Sequence, residues 1–274
     1  MIPSSLKDKV VVITGASSGI GEATAIAFAK QHCRLVLLAR NTAKLEVVKQ
    51  ACMASGATGV LVLPCDVSDE TQCISAVDAI TQQFQKIDIL INNAGISMRA
   101  MLADLNTEVL KKVMDVNFWG TVYVTKYALP HIQLTQGSIV GVSSVAGFKG
   151  LPARTGYAAS KFAMHGFLES LRIEQLKNNV HVGIICPGYT RSNIRNAALN
   201  KHAAAQGESP LDESALMSSE EVAQEIVEMV MKRRAFRVLT FKGKVTFWLN
   251  KFFPNWMDKM VFNLVAKEAN SPFT

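Results

Sequence analysis

The sequence predicts an α/β protein, a doubly wound, open parallel sheet in a single domain, continued at its C-terminus by an amphipathic extension. Three observations carry that expectation. Short β-branched runs are apolar at consecutive positions, as in strands covered on both faces. They alternate with stretches of helical spacing from the first ten residues onward. At 274 residues, 49% hydrophobic and 19% charged, the chain can bury one large core.

In order, strand Val10 to Thr14 precedes helix Gly19 to Gln31, and strand Arg34 to Ala39 precedes helix Ala43 to Ser55. Gly59 to Leu63 leads into Asp69 to Gln85, Asp88 to Asn92 into Thr107 to Leu129, and Ser138 to Ser143 into Ala153 to Lys177. His181 to Cys186 comes before helix Ser219 to Arg233, and Val238 to Phe241 is the last strand. No repeat, low-complexity tract or linker interrupts the series. Only the polar, alanine-rich stretch from Thr190 to Met217 and everything after Lys242 break the rhythm. Ligands of such sheets collect beyond the carboxyl ends of the strands, so the chemistry is sought where each strand stops.

The five cysteines are scattered, without a CxxC pair, which fits a reduced cytoplasmic protein. The start shows no secretory leader and no apolar run reaches a membrane span. The net charge of +7 is local. Between Lys232 and Met257 lie seven basic residues and no acid, and the remaining 22 equal the 22 acids of the chain. No recognition motif accompanies the cluster, which argues against nucleic acid. The five histidines lack ligand spacing, so no metal is expected.

The first strand ends in TGASSGIG at 14–21. Gly15, Gly19 and Gly21 let the backbone turn and approach a pyrophosphate. Ser17, Ser18 and Ile20 open the helix whose N-terminal N–H groups stabilise an anion. Such a turn also occurs without a ligand, but its place in the first βα unit favours a dinucleotide. After the second strand stands Arg40, where a carboxylate for a ribose hydroxyl is common; an arginine there can pair with a 2′-phosphate, or be an ordinary surface residue. NADP(H) is therefore expected over NAD(H).

Two further strand ends, at Asn93-Ala94-Gly95 and at Ser143-Ser144, leave polar groups on the same edge. Thirteen residues after Ser144 comes Tyr157, with Lys161 four residues on. At about 100° per residue, four steps bring the two side chains within about 40° of each other. A free phenol has a pKa near ~10, and a neighbouring ammonium lowers it. Tyr157 would then exchange a proton with a carbonyl or alcohol oxygen that Ser144 holds by a hydrogen bond. A Tyr and a Lys four apart are, by themselves, also an ordinary helix pair.

Together these motifs resemble the short-chain dehydrogenase/reductase (SDR) family, over roughly residues 6–241: TGASSGIG, NNAG at 92–95, Ser144, YxxxK at 157–161 and Pro187-Gly188. The resemblance implies a Rossmann fold with residues 1–242 as catalytic domain, a substrate loop at about 190–217, and 243–274 as extension of the same domain. It implies that Asn117 completes the catalytic set by holding a relay water, an alternative being a helix-bending asparagine. It further implies that Asp66-Val67 faces the adenine and that Thr190 and Ser192 hold the nicotinamide. Dimers or tetramers pairing through the helices at 107–129 and 153–177 are implied as well.

The expected activity is NADP(H)-dependent interconversion of a carbonyl and an alcohol, on a small or lipophilic ketone. Met98, Met101, Phe148, Leu151 and Tyr189 are candidates for an apolar pocket, while Arg99 and Arg154 would select an acidic group. One alternative is reduction of a lipid-linked oxoacyl or steroid-like substrate at a membrane surface, since residues 243–265 interleave aromatic rings with lysines. In that case the cytoplasmic protein is peripheral to a membrane. Amphipathic termini more often dock than insert, so the tail packing back on its own domain or a neighbouring subunit, as a lid or an interface, is the reading favoured over membrane contact. A non-catalytic NADPH sensor is the third reading.

Overall fold

The computed structural model describes residues 5–191, 194–207, 216–268 and 271–273. Seven strands, β1 (Val10–Thr14), β2 (Arg34–Ala39), β3 (Gly59–Pro64), β4 (Ile89–Asn92), β5 (Ser138–Val142), β6 (His181–Cys186) and β7 (Phe236–Val238), form one sheet in the order 3-2-1-4-5-6-7, every pair parallel. The order reverses between β1 and β4, which opens a crevice beyond their carboxyl ends.

The consecutive apolar residues of β1 serve two cores. Val11 and Ile13 face one layer, built from α1 (Gly19–Ala29), α2 (Thr42–Ala54) and α7 (Ser219–Lys232). Val10 and Val12 face the other, built from α3 (Glu70–Phe84), α5 (Gly120–Thr135) and α6 (Thr155–Glu174). Each buried β-branched side chain thereby leaves water on its own face of the pleat. At the amino edge, buried Asp88 accepts from Lys9 (2.8 Å), the Val10 N–H (2.9 Å) and Lys86 (3.0 Å). Burial pushes this carboxyl up, but those donors outweigh it and hold its pKa below the usual value.

Three elements depart from the expected pattern. The stretch read as one helix from Thr107 is α4 (Thr107–Met114), a π-turn at Asp115–Trp119, and α5. The last strand lies earlier than expected, at Phe236–Val238, because Thr240 accepts from Gly243 N–H (3.1 Å) and caps a helix that already begins at Phe241. The extension is a pair of helices, α8 (Phe241–Phe252) and α9 (Pro254–Ala266), with Pro254 at the first turn of α9, where it is tolerated. Among the described residues, no helix is long and apolar enough to cross a membrane.

Candidate active site

The glycine turn is fixed by steric necessity. Gly15 has φ +65°, and a Cβ there would lie 2.8 Å from Ala94 Cα; a Cβ on Gly21 would lie 2.2 Å from the Gly15 carbonyl oxygen. Thr14 ties β1 to β4: its Oγ1 accepts from the Asn93 and Ala94 N–H groups (3.0 and 2.9 Å), and Asn93 Nδ2 donates to the Thr14 carbonyl (2.9 Å). Ser18 precedes α1 in an extended conformation and its side chain does not cap the helix, so the N–H groups of the first turn remain for an anion beyond the end of β1. This cradle fits a phosphate group.

On the neighbouring side, Tyr157 packs against the cluster of Met98, Val109, Val113 and Leu199. One turn along α6, the Lys161 ammonium is buried and lies 5.9 Å from the centre of the Tyr157 ring. It donates to the Val142 carbonyl at the end of β5 (2.9 Å). Ser144 accepts from the Ala146 N–H (3.2 Å), which leaves its own proton to donate. Asn117, fully buried, accepts from the Ile96 N–H (2.8 Å) and donates to the Ile96 carbonyl and to Ser160 Oγ (both 2.9 Å). The π-turn turns this side chain inward, and Ser160 passes the brace on to the Tyr157 carbonyl (2.7 Å). A Cβ on Gly95 would stand 3.2 Å from Asn117 Oδ1 and 3.6 Å from Lys161 Nζ, so the NNAG turn lies against both.

The electrostatics correct one expectation. The Tyr157 phenol is raised above its ordinary value by burial, opposed by a hydrogen bond with Ser144 and by the charge of Arg154. Burial brings Lys161 down to about 8. The positive charge that opposes the rise of the phenol is thus that of Arg154, while burial weakens the hold of Lys161 on its own proton. With its proton retained, Tyr157 suits the role of acid.

Residues 9–203 match the sequence profile of the family described as short chain dehydrogenase. The chain belongs to the short-chain dehydrogenase/reductase family. It is 35% identical to the Drosophila melanogaster dehydrogenase/reductase SDR family protein 7-like, over 97% of this chain and 82% of that one. It is 38% identical to the Arabidopsis thaliana 11-beta-hydroxysteroid dehydrogenase-like 4A, over 90% and 81%. A short chain dehydrogenase/reductase from Burkholderia phymatum, solved in complex with NAD, superposes with a TM-score of 0.82 at 25% identity, covering 93% of this chain and 97% of that one. The chain is accordingly an SDR oxidoreductase, of a family that binds a nicotinamide cofactor.

In this SDR chain, Arg40 extends from the end of β2, exposed, with Nη1 3.7 Å from Asp66 Oδ2; Asp66 also accepts from Ser68 Oγ (2.7 Å), and Val67 is buried beside it. Pro187 and Gly188 follow β6, and Thr190 donates to the Gly188 carbonyl (3.2 Å). Ser192 lies outside the described residues. Not all pocket candidates converge: Met98 reaches the Tyr157 cluster, Tyr189 is half exposed, and Phe148 packs edge-on to Phe247 of α8 (5.1 Å). Arg99 is bound in an ion pair with Glu268 (3.2 Å) and so is not free for an acidic substrate.

Sequence reasoning passed over one cluster behind Ser144. His165, a turn beyond Lys161, shares a hydrogen bond with Ser143 Oγ (2.7 Å), and a Cβ on Gly147 would come within 2.6 Å of both. Burial and the Lys161 charge lower His165 to about 4, so the ring is neutral and shapes the turn that carries Ser144. Its place four residues after Lys161, on the Tyr157 face, was the available signal.

The tail packs back on the domain. Met257, Val261 and Val265 of α9 are buried with Leu151 against them, Asn250 donates to the Phe148 carbonyl (2.9 Å), and buried Lys149 pairs with Asp258. The opposite face of the helix pair exposes Phe241, Trp248 (56%), Phe252 (66%), Phe253, Trp256 and Leu264 (63%).

Proposed function

We propose that this chain reduces carbonyl compounds, and oxidises the corresponding alcohols, with NADP(H), using Tyr157 as acid and base. The observation that supports this best is the convergence of Ser144, Tyr157 and Lys161 on the crevice beyond β1, β4 and β5, where the glycine cradle opens. Gly15, Ser17, Ser18, Gly19, Ile20 and Gly21 would hold the pyrophosphate, Asp66 and Val67 the adenine, and Asn93, Ala94, Gly95, Pro187, Gly188, Thr190 and Ser192 the nicotinamide half. The exposed Arg40 at the end of β2 favours a 2′-phosphate, which its guanidinium can bind with two N–H groups in exchange for its 3.7 Å contact with Asp66. When bound, the cofactor supplies or accepts a hydride at the carbonyl carbon. Ser144 donates a hydrogen bond to the substrate oxygen, and Tyr157 delivers its proton to the same atom. Lys161, held by Val142, lies under the ring and favours the phenolate left behind. Asn117, through Ile96 and Ser160, keeps α6 and the NNAG turn in register for this transfer.

We take residues 1–242 as the catalytic unit and infer self-association through the α4–α5 segment, whose π-turn leaves Trp119 exposed, and through α6, which leaves Phe162 exposed. An apolar groove of about 980 Å³ between α6 and α9, lined by Leu151, Pro152, Val261 and Phe262 though by none of Ser144, Tyr157 and Lys161, is the basis of the lipophilic-substrate reading. The uncovered rings of α8 and α9, set among Lys242, Lys244, Lys251 and Lys259, favour peripheral contact of this cytoplasmic protein with an anionic membrane surface.

The test is nicotinamide absorbance with NADPH and NADH over a panel of ketones and aldehydes, for the wild type and Tyr157→Phe. Turnover in the variant is expected to fall by about 100- to 10,000-fold while NADPH still binds. Near-normal turnover would remove Tyr157 from the chemistry, and a wild type that consumes neither coenzyme would favour the sensor reading.

A further inference from the structure

The basic groups around the crevice are nearly all committed. Lys149 pairs with Asp258, Arg99 with Glu268, and Lys161 donates to Val142. Arg154 is different. It precedes α6 by one residue and Tyr157 by three, and among the described residues its guanidinium has no hydrogen bond and no ion pair. It borders a small cleft with Arg99, Tyr189 and Glu268, floored by Leu151 and Pro152. That cleft therefore holds two guanidinium groups and one carboxylate, and the unbalanced charge belongs to Arg154. A guanidinium stays charged at every working pH, so a partly buried one recovers its lost hydration only from an acceptor, best a planar anion that takes two of its N–H groups.

The same charge is felt by the Tyr157 phenol, which places Arg154 within electrostatic reach of the proton being transferred. Leu151 and Pro152 belong both to this cleft and to the apolar groove between α6 and α9. From this geometry we infer that Arg154 determines specificity: the substrate carries an anionic oxygen group, a carboxylate or a phosphate, on the same molecule as the carbonyl. The inference rests on the carbonyl-reduction reading above and adds the chemical class of the substrate.

Matched pairs of ketones separate the two. Levulinate is compared with methyl levulinate, and hydroxyacetone phosphate with hydroxyacetone, in wild type, Arg154→Gln and Arg154→Lys, each checked for an unchanged melting temperature. The wild type is expected to favour the anionic member of at least one pair by about 10- to 100-fold in kcat/KM, chiefly through KM. Which pair shows the preference tells carboxylate from phosphate. Arg154→Gln erases the preference, the anionic ketone losing about 10- to 100-fold more in kcat/KM than its uncharged partner, and Arg154→Lys restores part of it. Indifference of the wild type to charge, or an equal loss on both members of a pair in Arg154→Gln, overturns the inference and leaves the reductase reading standing. If the wild type reduces none of the four ketones nor any of the wider panel, the reading falls and the inference with it.

Discussion

The carboxyl edge of β1, β4 and β5 and the helix pair α8–α9 invert the usual placement of side chains in opposite directions. At the edge, polar groups are inside: Thr14, Asn117, Ser160 and Lys161 are buried, and each finds a partner within the chain. Asn92 Oδ1 is a buried acceptor there without one among the described residues. In the helix pair, apolar groups are outside: the inner face is packed on Leu151 and Phe148, yet the outer face leaves aromatic rings in water. The lesson lies in where the compensation comes from. A buried polar group must be satisfied by the fold itself, so the edge is preorganised. An exposed apolar patch of this kind is compensated only by something that covers it.

Lys161 sharpens the comparison most. Replacing it with Met should cut carbonyl reduction by about 100-fold or more while leaving the melting temperature no lower. Burial lowers this lysine from 10.5 to about 8, so its charged form costs stability below about 8. That cost fades as pH rises towards the unfolded value, and Met removes it. In the wild type, the rate that depends on the ammonium is present below about 8 and lost as pH rises through it. A Lys161→Met protein that melts lower at neutral pH and keeps full turnover would break the argument.

Next in size is Asn117→Ala. It strips partners from Ile96 N–H, the Ile96 carbonyl and Ser160 at once, and chemical denaturation is expected to show a loss of about 2–4 kcal/mol. A loss below ~0.5 kcal/mol would mean that the π-turn holds without its asparagine.

The smallest change in stability is expected at the other region. Trp248→Gln with Phe252→Gln should shift the unfolding free energy by no more than about 1 kcal/mol, because both rings are more than half exposed and touch each other, Lys251 and, from Trp248, the edge of Phe247. The same double variant should lose sedimentation with vesicles containing phosphatidylserine. Unchanged sedimentation, or a wild type that ignores vesicles and self-associates through this face, would assign the rings to a second copy.

Much of the edge could be read in advance because its signals are local. A glycine with positive φ and the placing of a phenol and an ammonium one helical turn apart are set within a few residues, and the apolar runs of β1 to β6 follow from burial on both faces. Asn117 was found by resemblance alone, since the π-turn that aims it depends on Ile96 and Ser160, far away in the chain. The displaced β7 had a local signal in Thr240, whose capping role was hidden by the apolar run around it.

By itself, then, the sequence determined the parallel α/β sheet, the cradle at 14–21 and the order of the chemical groups along it, because periodicity and turn chemistry act between near neighbours. Only the tertiary structure decided that Arg99 is bound to Glu268 while Arg154 is not, that burial holds the proton on Tyr157, and that α8–α9 is covered on one face and bare on the other. Charge pairing and desolvation depend on which distant segments meet, and nothing in the spacing of residues along one segment records that.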